Sequence, residues 1–354
     1  MTVDYTGALF PREKLTVADV LLPFVFEGAD VRGAVVSLDT AWREVLTRHA
    51  YPLPVRALLG EAMAASALLS STLKFDGKLI LQTQAEQREA PVRLMVVECN
   101  ADLGLRAMAK LGAEWKAAAL QEGHTLASLV GDGKIVITLD PREPDAGGQE
   151  ENSGENSGER SRGSSRGSSR GSSRSGGTGQ AAYQGVVPLE GSHLAAALEN
   201  YMRRSEQLDT RIFLAADGQR AAGLLIQRLP GEGGHVVPEA LSKWPDAQTL
   251  AATITADELL SLAPREVMRR LFHEFDLRVF AERPAAFRCT CSRQRVSGML
   301  RALGREEVDG IVREQGAVTV NCEFCNQAYA FDAVDAAQLF AGPLMPMTAV
   351  GVRH

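Results

Sequence analysis

The sequence predicts an α+β protein in three parts: a mixed antiparallel core domain (residues 1–231), a helical linker (232–287) and a small C-terminal cysteine-bearing domain (288–354). Three observations predict this. Short alternating segments and apolar helical segments follow one another without the regular βαβ rhythm of a nucleotide-binding sheet. A low-complexity tract, 142–180, separates two strand-like segments that belong together. Four of the five cysteines fall between Cys289 and Cys325.

The first 15 residues lack a basic region followed by an apolar core, so no targeting signal is expected. The apolar stretch Val17 to Phe26 carries Asp19 and Pro23 and is too short to cross a bilayer. No membrane association is expected, and a reducing cytoplasm is the default compartment. Val31 to Leu38 reads as a strand. Pro54 to Leu73 has the apolar density of a buried helix, and Asp76-Gly77 reads as a turn. Leu79 to Gln84 and Pro91 to Glu98 alternate as strands, and Ser192 to Arg203 is helical.

Lys134 to Leu139 and Tyr183 to Val187 read as the two strands of a hairpin whose loop has been expanded. Closing a longer loop costs only slowly more. Of the 39 residues 142–180, 20 are Gly or Ser, a composition that does not bury enough apolar surface to fold. The tract's acidic half runs from Glu143 to Glu159 and its basic half from Arg160 to Arg174, with three tandem Gly-Ser-Ser-Arg units. A solvated loop extension is the preferred reading; a weak RNA or acidic-partner tether is the other. The tract holds 10 of the 33 glycines, so the remaining chain has an ordinary glycine share.

In the linker, Trp244-Pro245-Asp246 opens one helix. Thr255 to Glu258 is a capping box ahead of Leu259, Leu260 and Leu262. Pro264 opens a third helix carrying Val267, Met268, Leu271 and Phe272 on one face. Short amphipathic helices like these need another surface to cover their apolar faces.

The last part carries Cys289-Thr-Cys291 and, after 30 intervening residues, Cys322-Glu-Phe-Cys325. Helical patterns lie around Met299 to Leu303 and Glu306 to Val312, and strands at Val318 to Val320 and Gln327 to Phe331. A strand, a CxxC turn and a strand are a platform for two metal ligands, and four thiolates complete a closed tetrahedral site suited to one zinc ion. Thiolates disfavour magnesium and calcium, while spacing alone leaves iron open. With so small a core, the metal supplies much of the folding free energy, on the order of 10–16 kcal/mol in finger-sized units. Each cysteine pair is also close enough to close on itself as a disulfide, with Arg288, Arg293 and Arg295 beside the CxC pair to favour thiolate. A permanently reduced zinc staple fits the spacing equally well.

Cys289-Thr-Cys-Ser-Arg-Gln-Arg295 with Cys322-Glu-Phe-Cys325 resembles the signature of the heat-shock protein 33 family of redox-regulated bacterial holdase chaperones. Tyr51 to Val55, Thr72 to Gly77, Tyr183 to Val187, Arg204 to Leu208, His273-Glu274 and Glu306 to Asp309 are similar to family segments too. The resemblance implies no enzymatic activity and a cycle. Reduced, Cys289, Cys291, Cys322 and Cys325 hold zinc and the chaperone rests. Oxidised, disulfides Cys289–Cys291 and Cys322–Cys325 form, zinc leaves and the linker unfolds. The chain then dimerises, holds unfolding clients without ATP and passes them to ATP-dependent foldase chaperones. No Walker-type phosphate loop is present.

The alternative from another class is a zinc-ribbon nucleic-acid binder, which the net charge of -6 opposes. A thiol oxidoreductase would carry its CxxC at a helix start after a βαβ pattern. A hydrolytic zinc site needs an open coordination position, which four cysteines do not leave. His273 is a weaker ligand candidate, and Cys99, alone in an apolar strand, reads as a small buried hydrophobe.

Overall fold

The computed structural model describes residues 19–72, 77–87, 89–112, 126–131, 133–141, 183–189, 193–230 and 242–341. The tract 142–180, the first 15 residues and Asp76 of the expected turn lie outside them. In chain order the elements begin β1 (Val20–Phe26), β2 (Val31–Leu38), α1 (Thr40–Arg48), α2 (Leu53–Thr72), β3 (Gly77–Gln84), β4 (Val92–Asn100) and β5 (Gly104–Leu111). They continue α3 (Leu126–Val130), β6 (Lys134–Pro141), β7 (Tyr183–Pro188), α4 (Leu194–Ser205), β8 (Thr210–Ala216) and β9 (Ala221–Arg228). The segment after the core holds α5 (Trp244–Ala251), α6 (Ala256–Ser261), α7 (Pro264–Phe272), β10 (Leu277–Val279), β11 (Arg283–Pro284) and β12 (Ala286–Phe287). Last come α8 (Arg293–Leu303), α9 (Arg305–Gln315), β13 (Val318–Asn321), β14 (Ala328–Phe331) and α10 (Ala333–Phe340).

The architecture is α+β, as the sequence predicts. One sheet runs β10-β1-β2-β9-β8, with β11 also beside β1; a second runs β12-β5-β4-β3-β6-β7; β13 and β14 pair with each other. Among the described residues, every pairing is antiparallel except β12 with β5. The strands on either side of 142–180 are neighbours, with Ile135 opposite Val187.

Helix α2 lies between the two sheets. Its Val55, Leu59, Met63 and Leu68 share one apolar cluster with Leu21, Val36 and Leu225 of the first sheet and Leu81, Val97 and Leu105 of the second. By length and composition α2 could cross a membrane, but it is the core helix, with 67% of its apolar window buried. Gly60 lets it close on the first sheet, because a Cβ there would stand 2.5 Å from the Ala216 Cβ.

The first sheet is buried on both faces, and the strand period of two sorts its residues. Leu21, Ala34, Val36 and Leu225 point toward α2. Leu22, Phe24, Phe26, Val35, Leu224 and Ile226 point the other way, onto Trp244, Ala247, Leu259, Val267, Met268, Leu271 and Phe272 of α5–α7. These helices therefore find their missing surface on the first sheet. The rings of Phe24, Phe26 and Phe272 meet there, with centroids 5.1 to 6.0 Å apart. Helix α6 starts at a full capping box of Thr255 and Glu258. Asp30 ties down the entry to α5, accepting from Ser242 Oγ at 2.7 Å and from the Lys243 amide at 3.2 Å.

After α7 the chain returns along β1. Val279 lies opposite Phe24 and Arg283 opposite Leu21, leaving a gap at Pro23. The Pro23 carbonyl accepts from the Phe280 amide at 3.0 Å, so its nitrogen, which has no hydrogen to donate, faces the same side, in that gap. The chain then crosses to the second sheet, where Ala286 and Phe287 pair with Gly104 and Leu105.

Candidate metal centre

Beyond β12 the Arg288 amide donates to the Leu105 carbonyl at 2.8 Å, so Cys289 emerges directly from the core sheet. Thr290 and Cys291 follow, and Ser292 caps α8 by accepting from the Arg295 amide at 3.2 Å. Helices α8 and α9 lead to the hairpin β13–β14. Its turn is closed by bonds from the Cys322 amide to the Gln327 carbonyl (2.9 Å) and from the Asn326 amide to the Cys322 carbonyl (2.8 Å). Asn326 has φ 60°, a left-handed conformation asparagine tolerates better than most residues. A small apolar cluster of Leu300, Val308, Val318, Phe331, Ala336 and Leu339 supports the unit.

These elements bring together all four cysteines singled out in the sequence. Their sulfurs lie within 4.8 Å of one another, and none is disulfide-bonded. Cys289 Sγ is 3.6 Å from Cys322 Sγ, and Cys291 Sγ is 3.3 Å from Cys325 Sγ. A tetrahedral ion with bonds of about 2.3 Å separates its sulfurs by about 3.8 Å, so the cluster has the size of such a site. Burial, together with the neighbouring thiols, pushes the Cys325 thiol up to about 12. As thiolates, four sulfurs this close would need a cation between them, and the donor set fits one. Tyr329 donates to Cys291 Sγ at 3.1 Å, which with burial pushes its own hydroxyl up to about 12.

The arginine that reaches a thiol comes from the core. Arg106 of β5 places Nη1 3.9 Å from Cys289 Sγ, and Nη2 bonds both Glu98 oxygens at 2.8 Å. Its guanidinium lies 4.1 Å from the centroid of the Phe324 ring, in the CxxC turn. Of the arginines beside the CxC pair, Arg293 and Arg295 bond other groups. Arg293 bonds Asp335 at 2.7 Å and the Ala330 carbonyl at 2.8 Å, and Arg295 bonds Thr290 Oγ1 at 2.9 Å. His273 is exposed at the end of α7 and is not among the clustered ligand atoms. Cys99 is buried in β4, and burial pushes its thiol up to about 12, away from thiolate chemistry.

Arg106 and Tyr329 were invisible as site residues in the sequence. Tyr329 sits four residues after Cys325 in a strand already assigned, and only strand register shows that it points at Cys291. Arg106 lies far from any cysteine in sequence, and only the β12–β5 pairing brings it there.

The family model described as Hsp33 protein matches residues 19–155 and 170–332. A 33 kDa chaperonin of Methylobacillus flagellatus is 42% identical over 341 residues, 96% of this chain and 100% of the relative. One of Chromobacterium violaceum is 43% identical over 323 residues, 91% of this chain and 94% of the relative. The crystal structure of the 33 kDa chaperonin (heat shock protein 33 homolog) of Thermotoga maritima superposes with a TM-score of 0.66 at 18% identity, covering 91% of this chain and 97% of its own. At that identity the structural likeness is one of fold.

Proposed function

The chain belongs to the Hsp33 protein family, and from that membership we propose that it is a redox-regulated, ATP-independent holdase. Its four clustered, unbridged thiols carry this reading. In the reduced chain, Cys289, Cys291, Cys322 and Cys325 hold one zinc ion, which supplies structural cross-linking and no reaction. Oxidation closes Cys289–Cys291 and Cys322–Cys325. Each disulfide forms as two cysteine sulfurs give up two electrons to one peroxide, which takes up two protons to become two water molecules. Two peroxides per chain therefore remove all four donors and release the cation.

The unit built on that cluster then loses its main cross-link. Its neighbour α5–α7, tied to it through β12, loses its C-terminal anchor. The apolar face of the first sheet, with Leu22, Phe24 and Phe26, becomes the surface that holds unfolding clients. The protein acts in the cytoplasm, catalyses no reaction, dimerises when oxidised and passes clients to ATP-dependent foldase chaperones.

Zinc content and suppression of client light scattering, measured on reduced and peroxide-treated protein, test this. Zinc release together with gain of suppression is expected. Zinc retained after oxidation, or equal suppression by the reduced form, overturns it. Peptide mapping of the oxidised chain should find the two local disulfides; bridges between Cys289 and Cys322 or Cys291 and Cys325, the closest sulfurs in the reduced cluster, refute the pairing.

A further inference from the structure

The two residues between the CxxC cysteines supply no thiol, yet both contact the core. Glu323 pairs with Lys110 Nζ of β5 at 2.8 Å, and its carbonyl lies 2.9 Å from His49 Nε2. Phe324 lies under the Arg106 guanidinium. The next carbonyl, Cys325, accepts from Arg48 Nη1 at 3.4 Å, and Arg48 itself stacks on Phe287 of β12 at 4.8 Å. The end of α1 and the strand β5 thus form a basic receptor filled by an acidic residue followed by an aromatic one.

Each arginine of the receptor is held by a carboxylate of the core. Glu98 fixes Arg106 with two bonds, and Glu44 fixes Arg48 at 2.5 Å. Among the described residues, both arginines leave a buried Nε without a hydrogen-bond partner. That cost is consistent with planes committed to stacking on rings.

We propose that Glu323-Phe324 is a latch that seats the cysteine unit on the core, and that Arg106 is the positioning residue joining this latch to Cys289. One guanidinium touches both halves of the cluster: the CxC half through the sulfur and the CxxC half through the ring between its cysteines. Gathering the four sulfurs sets the turn that presents Phe324, so docking follows the state of the cluster. The consequence for activation rests on the redox reading above, whereas the docking itself is measurable without oxidant.

The test uses the full reduced, zinc-loaded chain with Arg106→Ala, Phe324→Ala and both together. None removes a ligand, so zinc stays at one per chain. Hydrogen exchange is read at the amides of Ala286 and Arg288, which bond the Leu103 and Leu105 carbonyls. Each single change should speed exchange by about tenfold, and the double change no further, because the partners act as a unit. Arg106→Lys should recover only part of the protection, since it keeps the charge and loses the plane. Both alanine variants should release zinc at lower peroxide than the parent.

Unchanged exchange in the single variants, or additive effects in the double, overturns the latch. If Arg106→Ala fails to fold, Lys110→Glu and Glu323→Lys replace it. Each alone should speed exchange about twofold to fivefold, and the pair should restore it; failure to restore overturns the proposal. Exchange that responds while peroxide releases no zinc from any variant keeps the latch and sinks the redox reading. Zinc release by peroxide from the parent with exchange unmoved does the reverse.

Discussion

Helices α5–α7 and the cysteine unit follow one another in the chain but obtain their order from different sources. The helices bury Trp244, Leu259, Val267, Met268, Leu271 and Phe272 against a sheet that belongs to the core. The cysteine unit buries six apolar residues of its own and leaves Met299, Leu303 and Val334 more than half exposed. Beyond that small core and a few bonds such as Arg293 to Asp335, it gathers four thiols at one point. The first region is therefore held by surface and the second by chemistry. A reagent that acts on sulfur strikes the second directly and reaches the first only through β10–β12.

The largest expected effect removes the chemistry. Cys325→Ser, or a strong chelator, should unfold residues 288–341 while leaving the core intact, a loss on the order of 10 kcal/mol apparent. Limited proteolysis should then cut within 288–341, where the metal-loaded chain resists, and leave cleavage elsewhere unchanged. A unit that stays protease-resistant without metal breaks the comparison.

Next comes the surface. Phe272→Ala removes a ring packed on Phe24 and Phe26 and should cost about 3–5 kcal/mol. An apolar dye should then bind the reduced chain, with zinc still in place. Dye binding only after zinc loss would mean that the helices depend on the cysteine unit more than on the sheet.

The core has a weak point of its own. Glu61 on α2 has no hydrogen-bond or ion-pair partner among the described residues, and burial pushes its carboxyl up to about 7. A raised carboxyl is protonated in the folded state, so its contribution is full at low pH and lost as pH rises through about 7. Glu61→Gln should therefore stabilise the protein by about 3 kcal/mol near pH 8 and change little near pH 4, read by chemical denaturation. An equal effect at both values would place the cause elsewhere.

The smallest effect is at the entry to α5. Burial would raise the Asp30 carboxyl, but bonds from Ser242, Arg228 and the backbone outweigh it and hold it below the usual range. Its stabilisation is full above about pH 4, where the unfolded group titrates, and fades as pH falls through the lower folded value. Asp30→Ala should loosen α5 by about 1–3 kcal/mol at neutral pH, seen as a red shift of Trp244 fluorescence. No shift would show that apolar contact alone seats the helix.

Much of this was legible in the sequence, where one local signal sufficed. The Thr255 capping box and the proline opening α7 are where their residue types place them. The cysteine spacing foretold a gathered cluster because turn and strand geometry fix it locally. Strand β1 is not legible in the sequence, because Pro23 argues against a strand unless the neighbour on that side is known to be interrupted. Strands β8 and β9 gave no clear signal; β9, buried on both faces, lacks the alternation that reveals a half-exposed strand. The arginines Arg48 and Arg106 reach the site through pairings between segments far apart in the chain, which no local pattern encodes.

The interruption at Pro23 has a kinetic meaning. The returning chain is clipped to β1 by one block of three residue pairs and another of two. Runs so short have little standing of their own, and between the blocks one bond, from the Phe280 amide to the Pro23 carbonyl, extends the first. On the proposed redox cycle, release from the sulfur end should therefore be stepwise. A mild oxidation should free β11 and β12 and let them re-close, and only a sustained one should peel β10 and release the helices.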